Sequence, residues 1–425
     1  MSRLTTRGTN KSTLYSQADA DDFTARSVKP HTLRWKAHAY RWINSGGAVE
    51  VLMEDIPIVG GKLVMDSSDQ VRRRLTLDIG AGAELEPRTW RDPLVPFGQF
   101  IILWCSIDRE DGTFFPWLKM GEFHIQSYVY ERPSQIATVE ALDYSAIVNE
   151  YLHTKKKSYG KLTVAAAIDA MVNPALPNKS YLIVAHPEAK TNKVRESFVS
   201  DAASPRWEQA VKVAEENACD TFWDWNGDLV IRPNLGDGND DIIPESGPDV
   251  GTKDGPIATI RDEEGGALIG MTATVTRDGA CNGVFVNIHE TADQKAKDAK
   301  ARAARGDSRV DVQVSALAGT GSPVMYGDTF GRIPVVFEKS VSKITDAVET
   351  HYRDLASTIL ARRRGVVRYI DLAMVGGYHL EPDDKVRIQF DGRTEDHYVQ
   401  AITFELAGGA TIVRTRELHV EDPGA

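Results

Sequence analysis

Residues 73–78 read Arg-Arg-Leu-Thr-Leu-Asp and residues 138–142 read Thr-Val-Glu-Ala-Leu, with polar and apolar side chains alternating. Successive side chains of an extended backbone point to opposite sides, so this alternation marks strands with one wet face and one dry face. Around them lie further short runs rich in Val, Ile, Leu, Thr and aromatics, such as KLVMD, FIILWCSI and GEFHIQSYVY, parted by Gly, Pro and Asp. The pattern predicts a β domain of sandwich or barrel type over residues 45–150.

Residues 1–44, rich in Ser, Thr, Arg and Asp, predict an N-terminal arm rather than a packed element. Over 151–265 helical and strand signals mix. A helix follows Leu162 and is ended by Pro174 and Pro177. Ser204 as cap and Pro205 at the first helical position open another, whose Trp207, Val211, Ala214 and Ala218 share a face. The next stretch, TFWDWNGDLVIRP, predicts a hairpin on a two-residue type I′ turn at Asn226–Gly227, pairing Trp225 with Asp228 and Trp223 with Val230. Residues 236–255 and 294–308 predict long polar loops suited to contacting neighbours. The last helix carries Ile344, Val348, His351 or Tyr352, Leu355 and Ile359 on one stripe, with Arg362, Arg363 and Arg364 in its final turn and Gly365 to close it. Strands then run to the C-terminus.

Composition narrows the classes. A length of 425 residues predicts about three domains, and the apolar and charged fractions are those of a globular chain. Apolar runs fall short of the roughly 20 residues a spanning helix needs. The opening MSRLTTRGTN lacks the apolar core of a secretory signal, which predicts synthesis in the cytoplasm and no stable membrane association. A net charge of −11 argues against a protein that grips nucleic acid through counterion release. Three distant cysteines, Cys105, Cys219 and Cys281, form neither a zinc ribbon nor a disulfide framework and are expected as packed thiols.

No constellation for chemistry emerges. Asp237, Asn239 and Asp241 are spaced like calcium ligands, but Ile242 stands where the loop needs Gly. His289–Glu290 lacks the second His of a helical zinc site. The GAGAEL stretch is a turn without a phosphate-loop Lys, no serine elbow is present, and Cys105 sits in an apolar strand. Catalytic, cofactor and metal residues are therefore expected to be none. Trp223 and Trp225 could form an aromatic platform for sugar, although packing is the commoner use of such a face. The triplets Arg72–Arg74 and Arg362–Arg364 are read as a solvated strand face and a helix end.

Taken together, the order of elements resembles the tail hub or minor tail proteins of long-tailed bacteriophages, the baseplate-hub family, in detail those of actinobacterial phages. Four passages carry the likeness. The hairpin with Asp224, Asn226, Gly227 and Asp228 is similar to the family's inserted module, and Asn282, Val284 and Val286 to its Asn-x-Val-x-Val strand. The helix from Ile344 to Arg364 is similar to the one before the final strands. Leu380-Glu381-Pro382-Asp383-Asp384-Lys385-Val386 resembles a Leu-x-Pro-Gly-Asp-x-Val turn, with Asp383 where Gly is usual. Asp tolerates positive φ, so that turn is expected to survive.

The resemblance implies an α+β, mainly β chain with two tube-like β-barrel or sandwich domains, 45–150 and 266–425, the second with one long helix, and an inserted α+β region over 151–265. It implies a homotrimer at the distal tail tip of the virion that adapts a six-fold tube to a three-fold tip. The tube or distal tail protein would lie above, a tip, spike or fibre below, and tape-measure protein and DNA would pass through the lumen. A carbohydrate-binding adhesin and a cell-wall hydrolase stay open as alternatives. The first would use Trp223 and Trp225; the second would need paired carboxylates or a metal.

Overall fold

The computed structural model describes residues 17–43, 48–80, 82–194, 198–217, 219–233, 257–263, 266–276, 281–290, 311–318, 326–327, 332–341, 344–363 and 367–417. Residues 1–16, the expected loops 236–255 and 294–308 with Asp237, Asn239 and Asp241, and Arg364 and Gly365 lie outside the described residues. Helix α1 (Gln17–Ser27) is followed by β1 (Leu33–Trp42), β2 (Val49–Met53), β3 (Ile58–Asp66), β4 (Arg73–Ile79), the short helix α2 (Gly82–Leu85), β5 (Gln99–Ile107), β6 (Leu118–Glu131) and β7 (Ile136–Leu142). In β4 Leu75, Leu77 and Ile79 are buried and Arg74 is exposed; in β7 Val139 and Ala141 are buried and Glu140 is exposed. The quoted alternation is thus the dry and wet faces of one sheet.

Residues 17–42 depart from the expected arm. Phe23 of α1 is buried edge-on against Phe115 at 5.4 Å, and β1 pairs with β5 from Leu33 to Arg41. The inward residues of β1 include Ala37 and Ala39, too small to read as an apolar run. Its outward Arg34 and Lys36 lie over Phe114 and Trp117, their stems covering aromatic surface.

The middle of the chain contributes α3 (Tyr144–Glu150), β8 (Lys157–Ser158), α4 (Val164–Val172), β9 (Ile183–Ala185), α5 (Pro187–Thr191), β10 (Val199–Ser200), α6 (Arg206–Glu216), β11 (Cys219–Trp223) and β12 (Leu229–Pro233). Asp143 and Thr163 cap α3 and α4 by accepting from backbone N–H groups, and a 3₁₀ turn at Asn173–Ala175 ends α4 where the prolines begin. Helix α6 starts one residue later than expected. Pro205 occupies the cap position, and the Ser204 hydroxyl donates to Asp201 O instead of capping. Ile168, Met171, Trp207, Trp223, Leu229 and Ile231 form a core beneath the sheet β11-β12-β9.

The remainder forms β13 (Ala258–Arg261), β14 (Leu268–Thr276), β15 (Gly283–Glu290), β16 (Asp311–Leu317), β17 (Pro334–Val341), α7 (Asp346–Arg363), β18 (Val367–Met374), β19 (Lys385–Phe390), β20 (Arg393–Glu405) and β21 (Thr411–Glu417). Strand β15 pairs with β16 and β17 alone, and Val284, Val286 and Ile288 meet Tyr352, Leu355 and Ala356 of α7 in a small core of their own. These elements do not join the large sheet that their flanking strands build.

That sheet has 13 strands in the order β14-β18-β21-β20-β3-β4-β7-β6-β5-β1-β2, with β19 on β20 and β13 on β19. The two ends of the chain meet where β20 pairs antiparallel with β3, Ile402 opposite Met65 and Phe404 opposite Leu63. One apolar core runs beneath both halves, from Phe23 to Val413. Each such side chain contributes about 1.5–3 kcal/mol when fully buried, so Leu63, Met65, Ile402 and Phe404 tie the two halves together.

Candidate functional site

The loop between β3 and β4 brings three parts of the chain together. Arg72 Nη1 donates to Asp383 Oδ2 at 2.9 Å, and Arg232 at the end of β12 ion-pairs with the same oxygen. Arg73 ion-pairs with Glu381 and donates its backbone N–H to Asp143 Oδ2 at 2.9 Å. The Trp207 indole N–H reaches Gln70 O at 3.0 Å. Three guanidinium groups therefore pair with two carboxyl groups, Asp383 and Glu381, with the Phe222 ring under two of them, 4.1 Å from Arg72 and 4.7 Å from Arg232. The triplet is not the solvated face expected of it: Arg73 is buried and Arg72 nearly so, while Arg74 is exposed. A guanidinium enters an interior only with partners, and these come from residues too distant in sequence for spacing to reveal.

Asp383 has φ +75°, so the turn survives with Asp in the glycine position, as expected. The substitution adds a function, since its carboxylate is what both arginines hold. Burial pushes that carboxyl up, but Arg232 and Arg72 outweigh it and keep it below the usual range. Asp383 N–H donates to Val399 O at 2.6 Å, Asp384 Oδ2 accepts from Glu381 N–H at 2.7 Å, and Val386 is buried in the large core, so the whole turn beside Pro382 is fixed.

The hairpin differs from the expected one. Trp223 pairs with Leu229 and Phe222 with Val230, a shift of one residue. Asp224 Oδ1 accepts from the N–H groups of Asn226 at 2.9 Å and Asp228 at 2.8 Å, and only Gly227 has positive φ, at +80°. The loop is thus three residues long, a turn completed by a left-handed glycine, because the Asp224 carboxylate offers the backbone more than the tight turn does. Trp223 and Trp225 are both buried, at 1% and 4% exposure. Trp223 packs edge-on against Tyr144 and Tyr181 and stacks on Trp207. Neither indole presents a face on which a sugar could stack.

A second charged cluster docks this hairpin onto β6. Glu122 accepts from Lys119 at 2.6 Å and Lys179 at 2.8 Å, and from the Tyr144 hydroxyl at 2.9 Å. Burial raises the Glu122 carboxyl, but Lys179 and then Lys119 pull it down to about 2. Residues three apart on a regular strand face opposite ways. A bulge opposite Leu103/Trp104 brings Lys119 and Glu122 to one side, which the sequence does not signal. Asp228 Oδ1 accepts from Leu182 N–H at 2.9 Å, tying the hairpin to β9.

Asn282 lies apart from both clusters. Its side chain accepts from Ile333 N–H at 2.8 Å and its carbonyl from Ala318 N–H, stapling the small sheet whose core holds Val284 and Val286. The structure unites the hairpin with the turn at 382–386 through Arg232, and leaves the Asn282 strand to a separate role. His351 Nε2 bonds Glu216 O at 2.7 Å, linking α7 to the end of α6. The three cysteines are buried thiols outside any disulfide, as expected. Among the described residues, no His, Cys, Asp and Glu cluster could hold a metal ion, and no helix is long and apolar enough to cross a membrane.

No protein-family model and no curated protein matches the sequence. Solved structures do match the fold. A tail protein from Neisseria meningitidis is 13% identical, with a TM-score of 0.56 over 90% of this chain and 96% of that one. A prophage tail protein from Shewanella oneidensis is 8% identical, with a TM-score of 0.51 over 90% and 98%. A prophage tail protein from Listeria monocytogenes is 8% identical, with a TM-score of 0.50 over 90% and 94%. At such identities the likeness is one of fold, along almost the whole of each chain.

Proposed function

We propose that this chain is a structural protein of the distal tail of a long-tailed phage, a trimeric hub that turns over no substrate. The observation that carries the reading is the single wall built from both ends of the chain. The main path of the 13-stranded sheet ends at β2 and β14, each paired on one side only among the described residues, and β13 forms a further edge on the branch through β19. The β2 and β14 edges carry exposed apolar side chains, Val49 and Val51 on one and Ile269 and Val275 on the other. Open apolar edges invite a further strand, and a head-to-tail contact closes into a ring when its rotation permits. Three copies, each giving two sheet halves, present six wall segments to a six-fold tube and three equivalent faces to a tip or fibre. The −11 charge suits a lumen through which tape-measure protein and DNA pass without sticking.

The test is the mass of the purified chain in solution, by light scattering, together with electron microscopy of tails carrying a label on it. Trimers and label confined to the tip are expected. A monomer in both settings, or label spread along the tube, defeats the proposal.

A further inference from the structure

The cluster on β6 holds the parts of a condensation reaction. Lys119 Nζ donates to Glu122 Oε1 at 2.6 Å, to Asn226 O at 3.2 Å and to Asn226 Oδ1 at 3.3 Å. The amine therefore lies against a carboxamide whose carbonyl carbon is one bond beyond that last oxygen, and it touches a carboxylate. Asn226 Nδ2 donates to Asp228 Oδ2 at 2.9 Å, which pins the amide with its oxygen towards the amine and its nitrogen towards an acceptor. The Lys119 and Glu122 side chains are 15% and 9% exposed, so little water competes. Lys179 on the other Glu122 oxygen, at 2.8 Å, fixes that carboxylate against the amine.

We propose that Lys119 Nζ and Asn226 Cγ condense to an isopeptide bond, with Glu122 holding the amine in place. The Lys119 ammonium releases a proton to water, and the freed lone pair on Nζ attacks Cγ. The Cγ–Nδ2 bond then breaks. The departing nitrogen takes up both protons that Nζ sheds, one of them by way of water, and leaves as ammonium; Glu122 stays a carboxylate, and nothing is oxidised or reduced. The product welds the hairpin of the middle region to β6 of the large sheet.

The experiment is the intact mass and tryptic map of the full chain. The expected mass is about 17 Da below that of the sequence, one ammonia lost, with no cleavage after Lys119 and a branched peptide joining it to the tryptic peptide 213–253 that holds Asn226. Lys119→Arg, Glu122→Gln and Asn226→Ala should each restore the full sequence mass of the variant. A wild-type chain at full mass that yields a peptide ending at Lys119 overturns the proposal, as does a gain of about 1 Da from simple hydrolysis of Asn226. The wild-type measurement decides whether or not any variant folds.

Discussion

Replacing Asp383 separates the two things it does, carrying the charge that Arg72 and Arg232 share and holding a left-handed backbone. Asp383→Asn keeps the backbone tolerance and removes the charge. Stripping one partner from a buried ion pair costs about 3–5 kcal/mol. Here the arginine side chains are 11% and 23% exposed and both lie over Phe222, which offsets part of that loss. The expected cost is about 2–3 kcal/mol. Asp383→Ala should lose about 1 kcal/mol more, because alanine at φ +75° meets the clash that Asn and Gly avoid. Asp383→Gly should fall near Asn. Hydrogen exchange at the amides of residues 224–232 reads the local opening, where about 2–3 kcal/mol means roughly 30- to 150-fold faster exchange. Exchange in Asp383→Asn within about twofold of wild type would show that charge does not hold the junction. An alanine variant no worse than the asparagine one would show that the backbone conformation costs nothing.

In Gly227→Ala the new Cβ would stand 2.5 Å from Glu122 Oε2 and 2.8 Å from Lys179 Nζ at φ +80°, so a loss of about 2–3 kcal/mol is expected in urea unfolding; a neutral result refutes the close docking of hairpin on β6. Trp223→Ala removes the stacked centre of the middle core and should cost about 3–5 kcal/mol; normal folding with lost glycan binding would instead revive the adhesin reading. Glu122 binds its proton more weakly folded than unfolded, so the stability it contributes is full above about pH 4.5 and is lost as pH falls towards 2, an amount of about 3 kcal/mol. Urea unfolding at several pH values should show this slope in the wild type and a smaller one in Glu122→Gln. If Lys119 is bonded to Asn226, Lys179 alone holds Glu122, so the loss is smaller and is complete at a higher pH.

The strands of the large sheet were legible wherever an apolar residue faced a polar one at period two, as at Leu75 and Leu77 or Val139 and Ala141. Strand β1 is fainter: Leu33 and Trp35 pack on the core at the same period, but Ala37 and Ala39 are small and long basic stems mask its outward face. The hairpin was found, but its register was not. A turn count cannot see that the Asp224 carboxylate would collect two backbone N–H groups. The positive φ of Asp383 could be anticipated from the chemistry of aspartate. Its partners could not, since Arg72 and Arg232 reach it through folding and their own neighbours in sequence look like an ordinary wet strand. Only a local signal survives in sequence; ion pairs between distant segments leave none.

The pairing of β20 with β3 also bears on synthesis. The N-terminal strands leave the ribosome long before the segment that completes their sheet, and until it arrives Leu63 and Met65 border an unfilled groove. A product stopped before Arg393 lacks Ile402 and Phe404 and is expected to stay a client of chaperones and proteases. The order of strands thereby acts as a length check, passing only chains that have been translated through β20.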